Sequence, residues 1–200
     1  MELDISELNL GGPGSTRFVY ISCKACRADL GVFNIATQAV SLFKWRIGCE
    51  TTVPIPEPEL SECLAATLMA TISRSGSAKC IIGPHLIGSA RAEVPPGSQS
   101  LYVWVLNSNV VYAATQNVKA RRGPAMKILF RPVDVQEGND TVDAMNSDVQ
   151  ELTLPAAAID AIIESLHESN HLLPTKEKSF QEWSVGLLHR WDPEDRITNT

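Results

Sequence analysis

The chain has 200 residues, 44% of them hydrophobic and 20% charged. That length can bury roughly 70% of the unfolded surface, and the composition is that of an ordinary globular domain, which excludes wholesale disorder, collagen and coiled coil. The net charge of −6 argues against non-specific nucleic-acid or membrane-surface binding, and no apolar run approaches the ~20 residues of a membrane helix.

Residues 1–16 are acidic and contain Gly11, Gly12, Pro13 and Gly14. They read as a flexible lead-in without the apolar stretch of a secretory signal. A strand is predicted over 18–22, delivering Cys23-Lys-Ala-Cys26 to a turn, with Gly31 suited to the tight bend beyond it. Residues 40–47 read as the clearest strand, with Phe43, Trp45 and Ile47 on one face. Three prolines make 51–58 an extended linker. A helix is predicted over 59–74, with Leu60, Cys63, Leu64, Thr67, Leu68, Thr71 and Ile72 on one face and Ser75-Gly76 as its stop. Residues 78–82 read as a short strand, and the glycines and prolines of 83–97 as loops. The stretches 101–106 and 110–114 flank Asn107-Ser-Asn109, so a hairpin is predicted there. Another strand is expected over 125–131.

Residues 133–150 are acidic, polar and aperiodic, and read as a long mobile loop. Pro155 suits the first position of a helix whose apolar stripe is Ile159, Ile162, Ile163 and Leu166, ending at Asn170 or His171. Alternation over 183–191 predicts a final strand. The sum is an α+β fold on a mostly antiparallel β-sheet, with two amphipathic helices and a long acidic loop. It is expected to form a single domain over 17–192, followed by a tail at 193–200.

Charge is unevenly spread. Residues 1–132 carry 13 Lys and Arg against 9 Asp and Glu, whereas residues 133–200 carry 4 against 14. Lys119, Arg121, Arg122, Lys127 and Arg131 form a basic run. It could be a solvated loop, contact RNA or an acidic protein, or pair with the acidic segment beside it.

Five cysteines stand at 23, 26, 49, 63 and 80. The odd number without a signal segment points to reduced thiols and a cytoplasmic or nuclear protein. Cys23-x-x-Cys26 is the one short motif with a mechanism. Two thiols at this spacing can hold a metal or form a redox pair, or simply be small buried hydrophobes. Structural zinc needs four ligands; Cys80 and His85 would complete a set with Cys23 and Cys26, and Cys49 could also serve. Cys63 is expected as a packed core thiol, and the carboxylate of Glu50 disfavours Cys49 as a nucleophile. His167 and His171, one helical turn apart, suit the negative end of a helix dipole. There is no G-x-S-x-G, P-loop, H-E-x-x-H or dinucleotide fingerprint.

Several stretches read together resemble the HECT-like ubiquitin-conjugating-enzyme-binding family. They are Cys23-Lys-Ala-Cys26-x3-Leu-Gly31, Val40-Ser-Leu-Phe-Lys-Trp45, the strand with Trp104 and Leu106-Asn107, and Ala125-Met-Lys-Ile-Leu-Phe130. Leu154-Pro155, Asn170-x2-Leu173-Pro174 and Phe180-x2-Trp183-x-Val185 complete the ordered set. The resemblance spans roughly 18–191 and corresponds to the family's C-terminal half; the L-P-S-x-x-W stretch of its N-terminal half has no counterpart here. It implies a ubiquitin-protein-ligase-like protein that binds a ubiquitin-conjugating enzyme and promotes ubiquitin transfer to protein substrates. Some relatives are linked to cyclin recognition and others to pre-mRNA 3′-end processing. A HECT-type mechanism needs an exposed, activated thiol, and Cys23 and Cys26, flanked by Lys24 and Arg27, are the candidates. The alternative is a non-catalytic adaptor that holds a conjugating enzyme or a client such as a cyclin or a 3′-end processing factor. A zinc-knuckle RNA binder is a third reading; neither nucleic acid nor a membrane is the expected partner.

Overall fold

The computed structural model describes residues 18–35, 37–48, 57–85, 97–113, 123–145 and 147–191. The expectations for 1–16, Cys49, 51–56, 86–96, Lys119, Arg121, Arg122 and 193–200 lie outside the described residues. The chain groups into two compact units. The first comprises Met1–Glu57 and His85–Pro96; the second comprises Pro58–Pro84 and Gly97–Thr200.

The first unit is a three-stranded antiparallel sheet in the order β1 (Phe18–Ser22), β2 (Asp29–Asn34), β3 (Ala39–Leu42). The predicted strand over 40–47 stops at Leu42. The Phe43 amide donates to the Leu30 carbonyl at 2.8 Å, and the chain then winds into a 3-10 turn, Lys44–Arg46. Phe43 is buried, and Trp45 stacks on it at 4.9 Å between ring centroids. Burying the Phe43 ring and stacking Trp45 on it outweighs the local alternation. Gly31 lies inside β2, not at a bend: any Cβ there would run into the Ser41 carbonyl of β3, so glycine permits the close strand approach. The bend is instead supplied by Arg27, in the left-handed region at φ 60°.

The second unit is built on a six-stranded sheet in the order β7 (Gln150–Leu154), β4 (Lys79–Pro84), β5 (Gln99–Tyr112), β6 (Gly123–Asp134), β9 (Trp183–His189), β8 (Ser179–Phe180). All neighbours are antiparallel except β4 and β7. Helices α1 (Leu60–Ser75) and α3 (Ala156–Asn170) bury Leu64, Leu68, Ile159, Ile162 and Leu166 against Ile82, Val103, Ile128 and Phe130 of the sheet. This is the main core.

Helix α1 begins with a capping box: Glu62 accepts from the Glu59 amide at 2.8 Å, and the Glu59 side chain accepts from the Glu62 amide. Gly76, at φ 74°, ends it. Glu62, Ala65, Leu64, Leu68 and Thr71 are its buried residues, while Thr67, expected on the apolar face, is exposed and Cys63 is half-buried. The capping bond lets Glu62 lie where periodicity alone would place an apolar residue.

Two expectations for this unit are corrected. The hairpin predicted over 101–114 is one long strand, β5, whose partner is β6. Asn107-Ser-Asn109 causes a register shift rather than a reversal. Its irregular backbone is tied down because the Arg190 guanidinium donates to the Ser108 carbonyl at 2.8 Å and to Asn109 Oδ1 at 2.9 Å. The acidic segment expected as a mobile loop instead contains a helix, α2 (Val135–Asp143), followed by β7. Asp134 caps α2 by accepting the Glu137 amide at 2.7 Å. Gly138 lets the helix approach Ile81 and Ser100 on the sheet face opposite the main core, where Val142 packs with Ile81, Val133 and Val149.

Candidate functional site

The described cysteines occupy three different environments. Cys80 alternates inward on β4, is 2% exposed, and belongs to the main core. Burial first, and then the negative charge of Glu151, push its thiol up to about 12. Buried and protonated at neutral pH, it is a poor nucleophile. Cys63 is half-buried on α1.

Cys23 and Cys26 lie in the turn between β1 and β2. The Arg27 amide donates to the Cys23 carbonyl and the Cys23 amide to the Ala28 carbonyl, each at 2.8 Å. The register shift between Ile21 and Ser22, together with the Ser22 hydroxyl donating to Asp29 at 3.0 Å, closes the base of the turn. Cys23 is partly exposed and Cys26 is exposed. This fold-back aims the backbone N–H groups of Cys26 and Ala25 at the Cys23 sulfur and brings the Cys26 side chain into hydrogen bonding with it. Those donors, in that order of weight, hold the Cys23 thiol below its ordinary range. The sequence pointed to the neighbouring charges of Lys24 and Arg27. The main source is the backbone, which no residue-type pattern shows.

His85 belongs to the first unit. Its ring is stacked with Phe18 at 5.9 Å and with Phe43 at 6.3 Å, and tilted against Tyr20 at 6.4 Å. This aromatic cluster joins residues far apart in sequence, so spacing carried no sign of it. Among the described residues, no three His, Cys, Asp or Glu side chains gather as a metal ion would require. Of the residues expected as a zinc set, Cys23, Cys26 and His85 belong to the first unit and Cys80 to the second. His167 places its ring edge-on to Phe130 at 5.0 Å, a packing role beside its place near the α3 terminus.

The basic run also resolves in part. Lys127 pairs with Glu177 at 3.1 Å and Arg131 with Glu137 at 2.8 Å. The second pair realises the contact with the adjacent acidic segment.

A family model described as HECT-like ubiquitin-conjugating enzyme (E2)-binding matches residues 5–185. The chain belongs to this family. No curated protein and no solved structure matches it. In this HECT-like chain, several residues that carry the resemblance have structural jobs. Asn170, at the end of α3, donates from Nδ2 to the carbonyls of Lys178 and Val185, each at 2.7 Å. Trp183 is 9% exposed and meets Tyr102 edge-on at 4.7 Å and Trp104 at 6.4 Å. The Arg131 guanidinium lies over Trp183 at 5.7 Å and the Lys79 ammonium over Trp104 at 5.4 Å. The Cys23–Cys26 turn is a family-like stretch that presents thiols at the surface.

Proposed function

We propose that this chain engages a ubiquitin-loaded conjugating enzyme and promotes ubiquitin transfer to protein substrates, with Cys23 as the thiol that receives ubiquitin. Family membership supports the binding half of this reading. The observation that supports the chemical half is the Cys23 sulfur, accessible and surrounded by donors from Ala25 and Cys26. The thiolate attacks the thioester carbonyl of the loaded enzyme; a new carbon–sulfur bond forms, and the conjugating-enzyme thiolate leaves and takes up a proton. A substrate lysine amine then attacks the new thioester, forming the isopeptide bond and releasing the Cys23 thiol. Donors already in place stabilise the sulfur's negative charge without reorganisation.

The test is a single-turnover reaction with a conjugating enzyme carrying labelled ubiquitin, read on non-reducing gels. The expected product is a dithiothreitol-labile ubiquitin adduct that Cys23→Ser abolishes and Cys80→Ser leaves unchanged. Capture of the conjugating enzyme without adduct or gain in transfer overturns the thioester route and leaves a non-catalytic adaptor.

A further inference from the structure

Strand β3 is an edge of the first unit's sheet. Among the described residues it pairs only with β2, in an unbroken register from Gly31 with Leu42 to Asn34 with Ala39. Antiparallel bonds alternate along a strand. The Phe43 amide donates to the Leu30 carbonyl, so Phe43, Ser41 and Ala39 turn their backbone groups toward β2. Val40 and Leu42 therefore each direct an N–H and a C=O away from the sheet. Their side chains, 48% and 45% exposed, share one face. Edge strands are ordinarily blunted by charge, proline, a bulge or shortness. The larger sheet follows that rule, since β7 carries Glu151 and β8 has 2 residues. Ala39-Val-Ser-Leu42 has no charge, no proline and no bulge.

Positive charge gathers at one end of this edge. Leu42 pairs with Gly31, so the end of β3 lies on the side of the turn between β1 and β2, which carries Lys24 and Arg27. Lys44 and Arg46 follow β3 in the 3-10 turn. All four cations are exposed, and Arg27, Lys44 and Arg46 have no ion-pair partner among the described residues. The described carboxylates of this unit are Asp29, which accepts from Ser22, and Glu57. We propose that the β3 edge takes an extended, acidic segment of a partner protein as an added strand. The outward backbone groups of Val40 and Leu42 bond it, its apolar side chains lie beside theirs, and its carboxylates meet Lys44, Arg46 and Arg27. An edge of 4 residues buries far less than a stable dimer of folded domains needs, which favours a linear segment over a second copy. This docking is independent of the transfer role proposed for Cys23.

The test uses the full chain and, as probe, a fluorescein-labelled peptide in which valine and threonine alternate between paired glutamates. Anisotropy should show saturable binding that weakens as salt rises. Hydrogen exchange of the Val40 and Leu42 amides should slow when the probe is bound. Lys44→Glu combined with Arg46→Glu should weaken binding about tenfold. Val40→Pro removes one outward N–H, leaves the amides that face β2, and should weaken binding about tenfold as well. If Val40→Pro does not fold, the probe carries the same test. Of two probes N-methylated at alternate residues, one loses the donors that face the edge and should not bind, although its charge and side chains are unchanged. No binding at millimolar probe, binding that both N-methylated probes retain, or slowed exchange confined to residues outside β3 would overturn the proposal. A dimer of the free chain with protected β3 amides would also overturn it, and would assign the edge to a second copy.

Discussion

Asn170 offers the sharpest stability test, because its side-chain amide joins three stretches of chain with one group. It ends α3 and bonds the Lys178 carbonyl before β8 and the Val185 carbonyl in β9, both at 2.7 Å. The Lys178 carbonyl also receives the Val185 amide at 2.9 Å. Asn170→Ala removes both donors while leaving the Lys178 oxygen one partner. A net loss of about 1–3 kcal/mol follows, since a half-buried acceptor is left short. With a urea m-value of about 1–3 kcal/mol/M, the unfolding midpoint moves down by roughly 1 M.

Asn170→Asp is the decisive comparison. It keeps the shape but is acceptor-only when ionised, so a negative charge faces two carbonyl oxygens. It should destabilise at least as much as Ala at pH 7. That environment raises the folded pKa of the new carboxyl above its unfolded value. The folded state then binds the extra proton, and the deficit relative to wild type shrinks as pH falls through the folded pKa. Urea unfolding followed by tryptophan fluorescence reads both variants. If Asn170→Asp unfolds within ~0.5 kcal/mol of wild type at pH 7, the clamp does not hold the chain as argued.

Gly186 sits where an added Cβ would meet Leu166 Cδ2 at 2.9 Å and Phe130 Cε1 at 3.1 Å, both side chains fully buried. Gly186→Ala should therefore lower stability by about 1–3 kcal/mol, and an unchanged melting temperature would show that the core yields there. Asp134→Ala removes the cap of α2 and should cost about 1 kcal/mol, with amide exchange rising first within Val135–Asp143; uniform exchange would count against local capping. Cys80, with its thiol pushed up to about 12, should resist iodoacetamide at pH 8 in the native protein and react after denaturation. Cys23 should be labelled well before it, and equal rates would contradict the burial of Cys80.

The sequence by itself determined the features whose signals lie within a few residues of one another. The period of Leu64, Leu68 and Ile72 and the stop at Gly76 mark α1; Ile159, Ile162, Ile163 and Leu166 mark α3; alternation marks the strands near 101–106, 125–131 and 183–189. These are enough for an α+β fold, and the ordered motifs are enough for the family. Tertiary structure decided the rest, because the forces involved act between distant residues. Helix α2 spans 9 residues with few apolar side chains, too short to declare itself by period, and it is held by Gly138 and Val142 against strands elsewhere in the chain. Strand β5 runs through Asn107 because β6 supplies its partners and Arg190 ties its irregular stretch. The same holds for the thiols: five cysteines look alike in a sequence, but Cys80 is silenced by the core packed around it and Cys23 is set apart by amides that only the folded turn aims at its sulfur.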